Sequence, residues 1–181
     1  FARPDSILLG KSVNEVRRNL GRNLARENPI KADVVIPVPD SAIPAALGFS
    51  QESGIPFDHG LIKNRYIHRT FIRPAQKLRE NDTQLKLNPL PAVIRGKRVI
   101  VIDDSIVRGT TSKQLIAMLN KAGAKSVHLM ISSPPVRFPD FYGIDTPVQR
   151  DLIAARMTVP EIEKFIGADS LHYLSYKGLI K

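Results

Sequence analysis

None of the 181 residues is cysteine, so disulfides, thiolate metal sites and cysteine-ligated clusters are excluded within them. Tryptophan is missing too, and aromatic residues make up only 6%, which leaves few platforms for stacking nucleic-acid bases. No apolar run approaches the ~20 residues of a membrane-spanning helix, and no charged-then-apolar start marks a signal peptide. Internal repeats and low-complexity tracts are absent as well. Acid is scarce relative to base: 17 Asp and Glu face 27 Lys and Arg, a net charge of +10 that attracts polyanions of any kind. With so few aromatics, a phosphate-rich small molecule is the preferred partner, over nucleic acid or membrane. The length suits one domain with a full core, and a cytoplasmic, reducing setting is compatible with the missing cysteine. The chain opens Phe1-Ala2-Arg3 without a methionine, which reads as a piece of a longer chain or a processed product.

The most informative stretch runs from Arg98 to Ser112. Val99 to Ile102 is an unbroken β-branched run, suited to a strand buried on both faces of a parallel sheet. It stops on Asp103 and Asp104, then passes through a short polar turn containing Gly109 to Thr110 and Thr111. Leu115, Ile116 and Leu119 follow at helical spacing. In open α/β sheets a ligand sits outside the carboxyl ends of the strands, and a helix start offers unpaired N–H groups to an anion. A loop carrying both an anion cradle and two carboxylates suits a ligand with a phosphate at one end and hydroxyls or Mg²⁺ nearby, such as a sugar phosphate. The plainer alternative is that Asp104 or Ser105 caps local backbone and the threonines serve as N-caps.

Elsewhere, Ser12 and Glu15 have the form of a capping box before Val13, Val16, Leu20 and Leu24, an amphipathic helix ended by Pro29, with Arg17, Arg18, Arg22 and Arg26 on its wet side. Ala32 to Val38 reads as a strand, and Asp40 and Ser41 are placed to cap a helix from Ala42 to Glu52. Phe57 to Ile62 reads as a third strand ending at Lys63. Asn64 to Asn88 then has many Lys and Arg but no sustained apolar period, which suits either a functional lid or a basic surface loop. Lys125 to Ser132 is another strand. Beyond Ser133-Pro134-Pro135 the pattern weakens, with a helix from Val159 to Ile166 after Thr158 and a short strand from Leu171 to Leu174. The expected architecture is one α/β domain: a core over residues 1–135, with a flexible loop at about 63–88, and a C-terminal appendage over 136–181.

Four apolar residues, two acids, a glycine loop and closing Thr-Thr resemble the 5-phosphoribosyl-1-pyrophosphate (PRPP) signature of type I phosphoribosyltransferases. Val38-Pro39-Asp40-Ser41, Lys63-Asn64-Arg65-Tyr66 with Arg69-Thr70-Phe71-Ile72, Asp103 through Ser112, Ser132-Ser133-Pro134-Pro135 and Phe141-Tyr142-Gly143-Ile144-Asp145 together resemble the phosphoribosyltransferase half of the glutamine PRPP amidotransferase family. The resemblance implies a type I phosphoribosyltransferase fold, a mainly parallel central sheet flanked by helices with a small C-terminal hood. It also implies formation of phosphoribosylamine and pyrophosphate from PRPP and ammonia, the first step of purine synthesis.

By that resemblance Asp103 and Asp104 bind the ribose hydroxyls and the Mg²⁺ shell, with Ser41 also near the metal. Arg108, Gly109, Thr110 and Thr111 hold the 5-phosphate beside Ser105, and Pro39, Asp40 and Ser41 face the pyrophosphate. Lys63, Tyr66 and Arg69 act from the closing loop. Purine nucleotides are implied as inhibitors, a homo-oligomer is left open, and the family's preceding glutaminase domain, with its cysteine nucleophile, is not in this sequence. Some family members carry an iron–sulfur cluster with a cysteine just before the Phe-Tyr-Gly-Ile-Asp segment; Asp140 stands there, so no cluster is expected. A second reading keeps the fold but makes the chain a non-catalytic PRPP- or nucleotide-binding module.

Overall fold

The computed structural model describes residues 3–63, 87–140 and 148–181. A two-stranded hairpin, β1 (Ile7–Leu8) with β2 (Lys11–Ser12), leads into α1 (Val13–Glu27). Only half of the expected capping box forms there. Ser12 Oγ accepts the Glu15 N–H at 3.5 Å, but the Glu15 carboxylate turns to the Arg22 guanidinium at 3.0 Å, because a charged partner one face along offers more than the cap's own N–H.

β3 (Val34–Pro37), α2 (Ile43–Ser53), β4 (Leu61–Lys63), β5 (Leu87–Pro89), α3 (Pro91–Ile94), β6 (Arg98–Asp103), α4 (Thr110–Lys121) and β7 (Ser126–Ile131) follow. After β7 come two short 3₁₀ turns, Gln149–Asp151 and Ile153–Ala155, then α5 (Val159–Ile166), β8 (Ser170–Tyr173) and α6 (Tyr176–Ile180). The main sheet is parallel throughout, in the order β3-β6-β7-β8. β8 pairs with β7, so the stretch expected as an appendage supplies the fourth strand, and Leu152, Ile153, Ile162, Ile166, Leu171 and Leu174 lie buried in the core.

Strand alternation divides the core into two layers. Val99 and Val101 pack with Leu115, Ile116 and Leu119 of α4 and Ile162 and Ile166 of α5. Ile100 and Ile102 pack on the other face with Leu24 of α1 and Ala45, Ala46 and Phe49 of α2. β6 is buried on both sides, as its unbroken β-branched run predicts. Asp33 seals its amino end, accepting from the Arg98 N–H at 2.8 Å and from the Arg98 guanidinium at 2.7 Å.

Two sequence expectations need correction. The strand expected over Phe57 to Ile62 is broken: Phe57 makes one parallel bridge to Val35, and β4 starts only at Leu61, pairing antiparallel with β5 outside the main sheet. Asp58 takes the His59 N–H at 2.7 Å, and Gly60 presses so close to Ile36 that a Cβ would lie 2.6 Å from its Cγ2, so the pairing with β3 goes no further than the one bridge. Asp40 and Ser41 do not cap α2. Its N-cap is Ala42 with no side-chain cap bond, the turn being closed by the Ala42 N–H on the Val38 carbonyl at 3.3 Å. Among the described residues no helix is long and apolar enough to cross a membrane.

α1 and α2 cross at glycines: a Cβ on Gly21 would collide with the Ala45 carbonyl, and one on Gly48 with that of Arg18. Helix propensity alone favours alanine over glycine by about 1 kcal/mol. Backbone against backbone cannot yield cheaply, so Gly21→Ala is expected to destabilise by ~1–3 kcal/mol net, seen as a lower urea midpoint at unchanged slope. A raised midpoint would mean that the helices separate without penalty.

Candidate functional site

Register brings the carboxyl ends of the strands to one rim. Pro37 of β3 lies beside Ile102, and Asp103 of β6 beside Ile131, which in turn lies beside Tyr173. Asp103 is held by its neighbours: its carbonyl accepts from the Ser132 N–H at 2.9 Å and from Ser132 Oγ at 3.2 Å. Its own carboxylate accepts the Asp104 N–H at 2.8 Å, while Ser105 Oγ donates to Asp104 Oδ1 at 3.0 Å. Burial at the strand end, with Asp104 adding like charge, raises the Asp103 carboxyl to about 7, against the opposing pull of the Asp104 N–H. A carboxyl so placed gains from any cation or hydroxyl donor brought to it.

The loop then reaches Gly109 at φ +78°, a left-handed residue that serves as the N-cap of α4 with no side-chain cap bond. The threonines therefore do not cap the helix as the plainer sequence reading had it. The first-turn N–H groups of α4 point out of the helix start next to a positive dipole end, which suits an anion. Space is limited there as well: a Cβ would lie 2.8 Å from Ile153 Cδ1 and 3.3 Å from Phe165 Cε1, so those side-chain ends would have to shift.

Pro39, Asp40 and Ser41 follow β3 on the same rim, with a cis Pro39–Asp40 peptide. Lys63 at the end of β4 has its ammonium 3.5 Å from Asp40 Oδ2, which draws β4 and the β3–α2 turn together. Tyr66 and Arg69 lie outside the described residues, as do most of the expected loop and the segment Phe141 to Asp145. The structure thus gathers Pro39, Asp40, Ser41, Asp103, Asp104, Ser105, Arg108, Gly109, Thr110 and Thr111 along one edge.

Sequence reasoning missed the supports of this edge. Ser132 fixes Asp103, Asp151 forms an ion pair with Arg108 at 3.3 Å, and the Ile153 N–H donates to the Val107 carbonyl at 2.8 Å. Ser132 was visible only as part of a resembling segment; Asp151 and Ile153 carry no local signal, because their role comes from a contact more than 40 residues away. The donors on the rim are hard oxygens: the carboxylates of Asp40, Asp103 and Asp104 and the hydroxyls of Ser41, Ser105, Thr110 and Thr111. Among the described residues no group of three or more His, Cys, Asp or Glu forms a complete metal cage. That set suits Mg²⁺, which is typically bound through one or two carboxylates together with substrate phosphates.

A family model described as phosphoribosyl transferase domain matches residues 8–133. The chain is 57% identical over 180 residues to an amidophosphoribosyltransferase of Synechocystis sp., covering 99% of this chain and 36% of that protein. It is 54% identical over 181 residues to the amidophosphoribosyltransferase of Bacillus subtilis, covering 100% of this chain and 38% of the relative. It also superposes on the glutamine PRPP amidotransferase of B. subtilis complexed with ADP and GMP, with a TM-score of 0.89, 54% identity, and coverage of 99% of this chain and 39% of the other. The chain therefore spans somewhat over a third of the length of the curated relatives it matches.

The raised Asp103 carboxyl sets a pH dependence. Its folded value of about 7 lies above the ordinary 3.8, so its contribution to stability is fully present below about 3.8 and lost as pH rises through about 7. With chelator present, Asp103→Asn should therefore gain on the wild type by at least ~1 kcal/mol between pH 4.5 and 8, measured as the difference between urea unfolding free energies. A difference that does not change with pH would show that Asp103 ionises like an ordinary carboxyl.

Proposed function

Because the chain belongs to the phosphoribosyl transferase domain family, we propose that its rim is the phosphoribosyl-transfer site of an amidophosphoribosyltransferase. The reaction joins ammonia to C1 of PRPP: a C–N bond forms, the C1–O bond to pyrophosphate breaks, and the configuration at C1 inverts. A proton leaves the nitrogen, and the products are 5-phosphoribosylamine and pyrophosphate, the first step of purine biosynthesis. In the longer relatives the ammonia would come from glutamine in a separate glutaminase domain, which we propose as the partner of this one, in a cytoplasmic enzyme.

The observation that carries the reading is the juxtaposition along one edge of Asp103 and Asp104 with an uncapped α4 start behind Gly109. In this assignment the N–H groups at Arg108 to Thr111 and the threonine hydroxyls hold the 5-phosphate. Asp103 and Asp104 accept from the ribose 2- and 3-hydroxyls, and Pro39 to Ser41 face the diphosphate. Asp103, Asp104 and Ser41 would hold Mg²⁺, which when bound neutralises charge on the diphosphate. As the C1–O bond lengthens, positive charge grows on the ribose ring and negative charge on the leaving oxygen. Carboxylates at the ribose and cations at the diphosphate stabilise both developing charges.

Lys63 reaches the rim from β4, and Tyr66 and Arg69 are assigned to the same segment by sequence. Purine nucleotides, of which ADP and GMP accompany the B. subtilis enzyme, are proposed as inhibitors.

Ammonium, and not glutamine, is expected to support pyrophosphate release from PRPP by this chain, and Asp104→Asn should weaken PRPP binding without lowering the melting temperature. A coupled pyrophosphate assay beside calorimetry reads both. Tight PRPP binding with no release on any ammonium salt would instead favour the binding-module reading.

Lys63→Ala should cost more in the chemical step than in affinity, since a cation at the diphosphate counts most where charge builds on the leaving oxygen. The loss of one such donor is typically ~3 kcal/mol, about a hundredfold in rate. Single-turnover release at saturating ammonia, set against PRPP affinity, separates the two; equal losses would assign Lys63 to ground-state binding only.

A further inference from the structure

The loop that precedes α4 is supported from its far side by one short piece of chain. The Asp151 carboxylate meets the Arg108 guanidinium at 3.3 Å, and two residues on the Ile153 N–H donates to the Val107 carbonyl at 2.8 Å. The Ile153 side chain, 1% exposed, occupies the space that a Cβ on Gly109 would need. Three consecutive loop residues, Val107, Arg108 and Gly109, are thus gripped by Asp151 to Ile153 through an ion pair, a backbone hydrogen bond and apolar contact.

α5 extends the support, its Phe165 ring lying under the Lys113 ammonium at 4.7 Å, one turn into α4. The piece is itself tied down, since Gln149 Nε2 donates to the Arg137 carbonyl at 3.2 Å. None of these groups belongs to the rim. All of them fix the backbone whose N–H groups form it.

We propose that Asp151 is a positioning residue for the phosphate end of the substrate, holding Arg108 and with it the loop in the conformation that accepts the anion. The proposal rests on the assignment of Arg108 to Thr111 as the 5-phosphate cradle. Arg108 and Asp151 side chains are 60% and 43% exposed, so their pairing is an exposed one and its effect is modest. Its sign is what identifies it. Asp151 is negative and close to an anion site, so its direct electrostatic effect on a phosphate is repulsive. A positioning role acts in the opposite direction.

The test is calorimetric titration of the 181-residue chain with ribose 5-phosphate and, separately, with pyrophosphate. Relief of simple Coulomb repulsion predicts that Asp151→Asn binds both anions more tightly. Positioning predicts that ribose 5-phosphate binds about two- to fivefold more weakly, the reach of an exposed ion pair, while pyrophosphate is not weakened. Asp151→Glu, which keeps the charge, should restore affinity, and Arg108→Gln with Asp151→Asn should be no weaker than Arg108→Gln alone.

Unchanged or tighter ribose 5-phosphate binding by Asp151→Asn overturns the proposal, and so does an equal loss for both anions. A wild-type chain that binds pyrophosphate but no ribose 5-phosphate overturns the cradle assignment itself and takes the proposal with it. The two failures are therefore distinguishable.

Discussion

The site depends on β6 being buried on both faces while ending in charge. Val99 to Ile102 are fully enclosed between α4 on one side and α1 and α2 on the other, so the strand has no freedom to slide or turn over. A one-residue slip would exchange Val101 and Ile102 between two differently shaped layers and draw Asp103 into the core. The apolar packing therefore fixes the height of Asp103 at the rim to a fraction of a residue. Desolvation there raises its carboxyl, and the same confinement makes it receptive to a cation or a hydroxyl. Stability and chemistry meet at this residue with opposite preferences: the fold is better off with the proton on, and the proposed ligand with it off.

The anion side of the rim is built on a different principle. No buried cation marks it among the described residues; the peptide N–H groups at the start of α4 have no side-chain cap, because the N-cap is a left-handed glycine. Such a cradle has fixed geometry and little reorganisation on binding, which suits the proposed role of holding a phosphate still while bonds change at the other end of the sugar. The cationic side chains assigned to the diphosphate end come instead from β4 and beyond, off the main sheet.

Much of this was legible because it is local. The β-branched run, the acid pair and the glycine before Thr110 sit within a dozen residues, so sequence order reproduces spatial order. Thr158 likewise announces α5, and the structure adds a reciprocal cap, the Glu161 carboxylate accepting the Thr158 N–H at 2.7 Å. The failures came where another contact outweighed a local preference. Asp40 had the residue type of a cap but meets Lys63, Glu15 leaves its cap for Arg22, and the strand at Phe57 is cut where Gly60 crosses Ile36. The four residues of β8 could be read as a strand, yet nothing in Ser-Leu-His-Tyr says which sheet it joins. Asp151 looks like any surface acid until its partner is seen.

The antiparallel pair β4–β5 joins Lys63 to Leu87, closing the 23 intervening residues at their base. Once a loop is closed, its entropic cost grows only logarithmically with length, so doubling it costs about 0.6 kcal/mol. By that scaling, the β4–β5 pairing itself sets little limit on the number of residues between Lys63 and Leu87. The rim has no such latitude, since β6 is buried on both faces up to Asp103 and Gly109 has Ile153 packed against it. A scaffold divided in this way lets a chain change what lies between Lys63 and Leu87 while the acid pair and the open helix start of the rim stay the same.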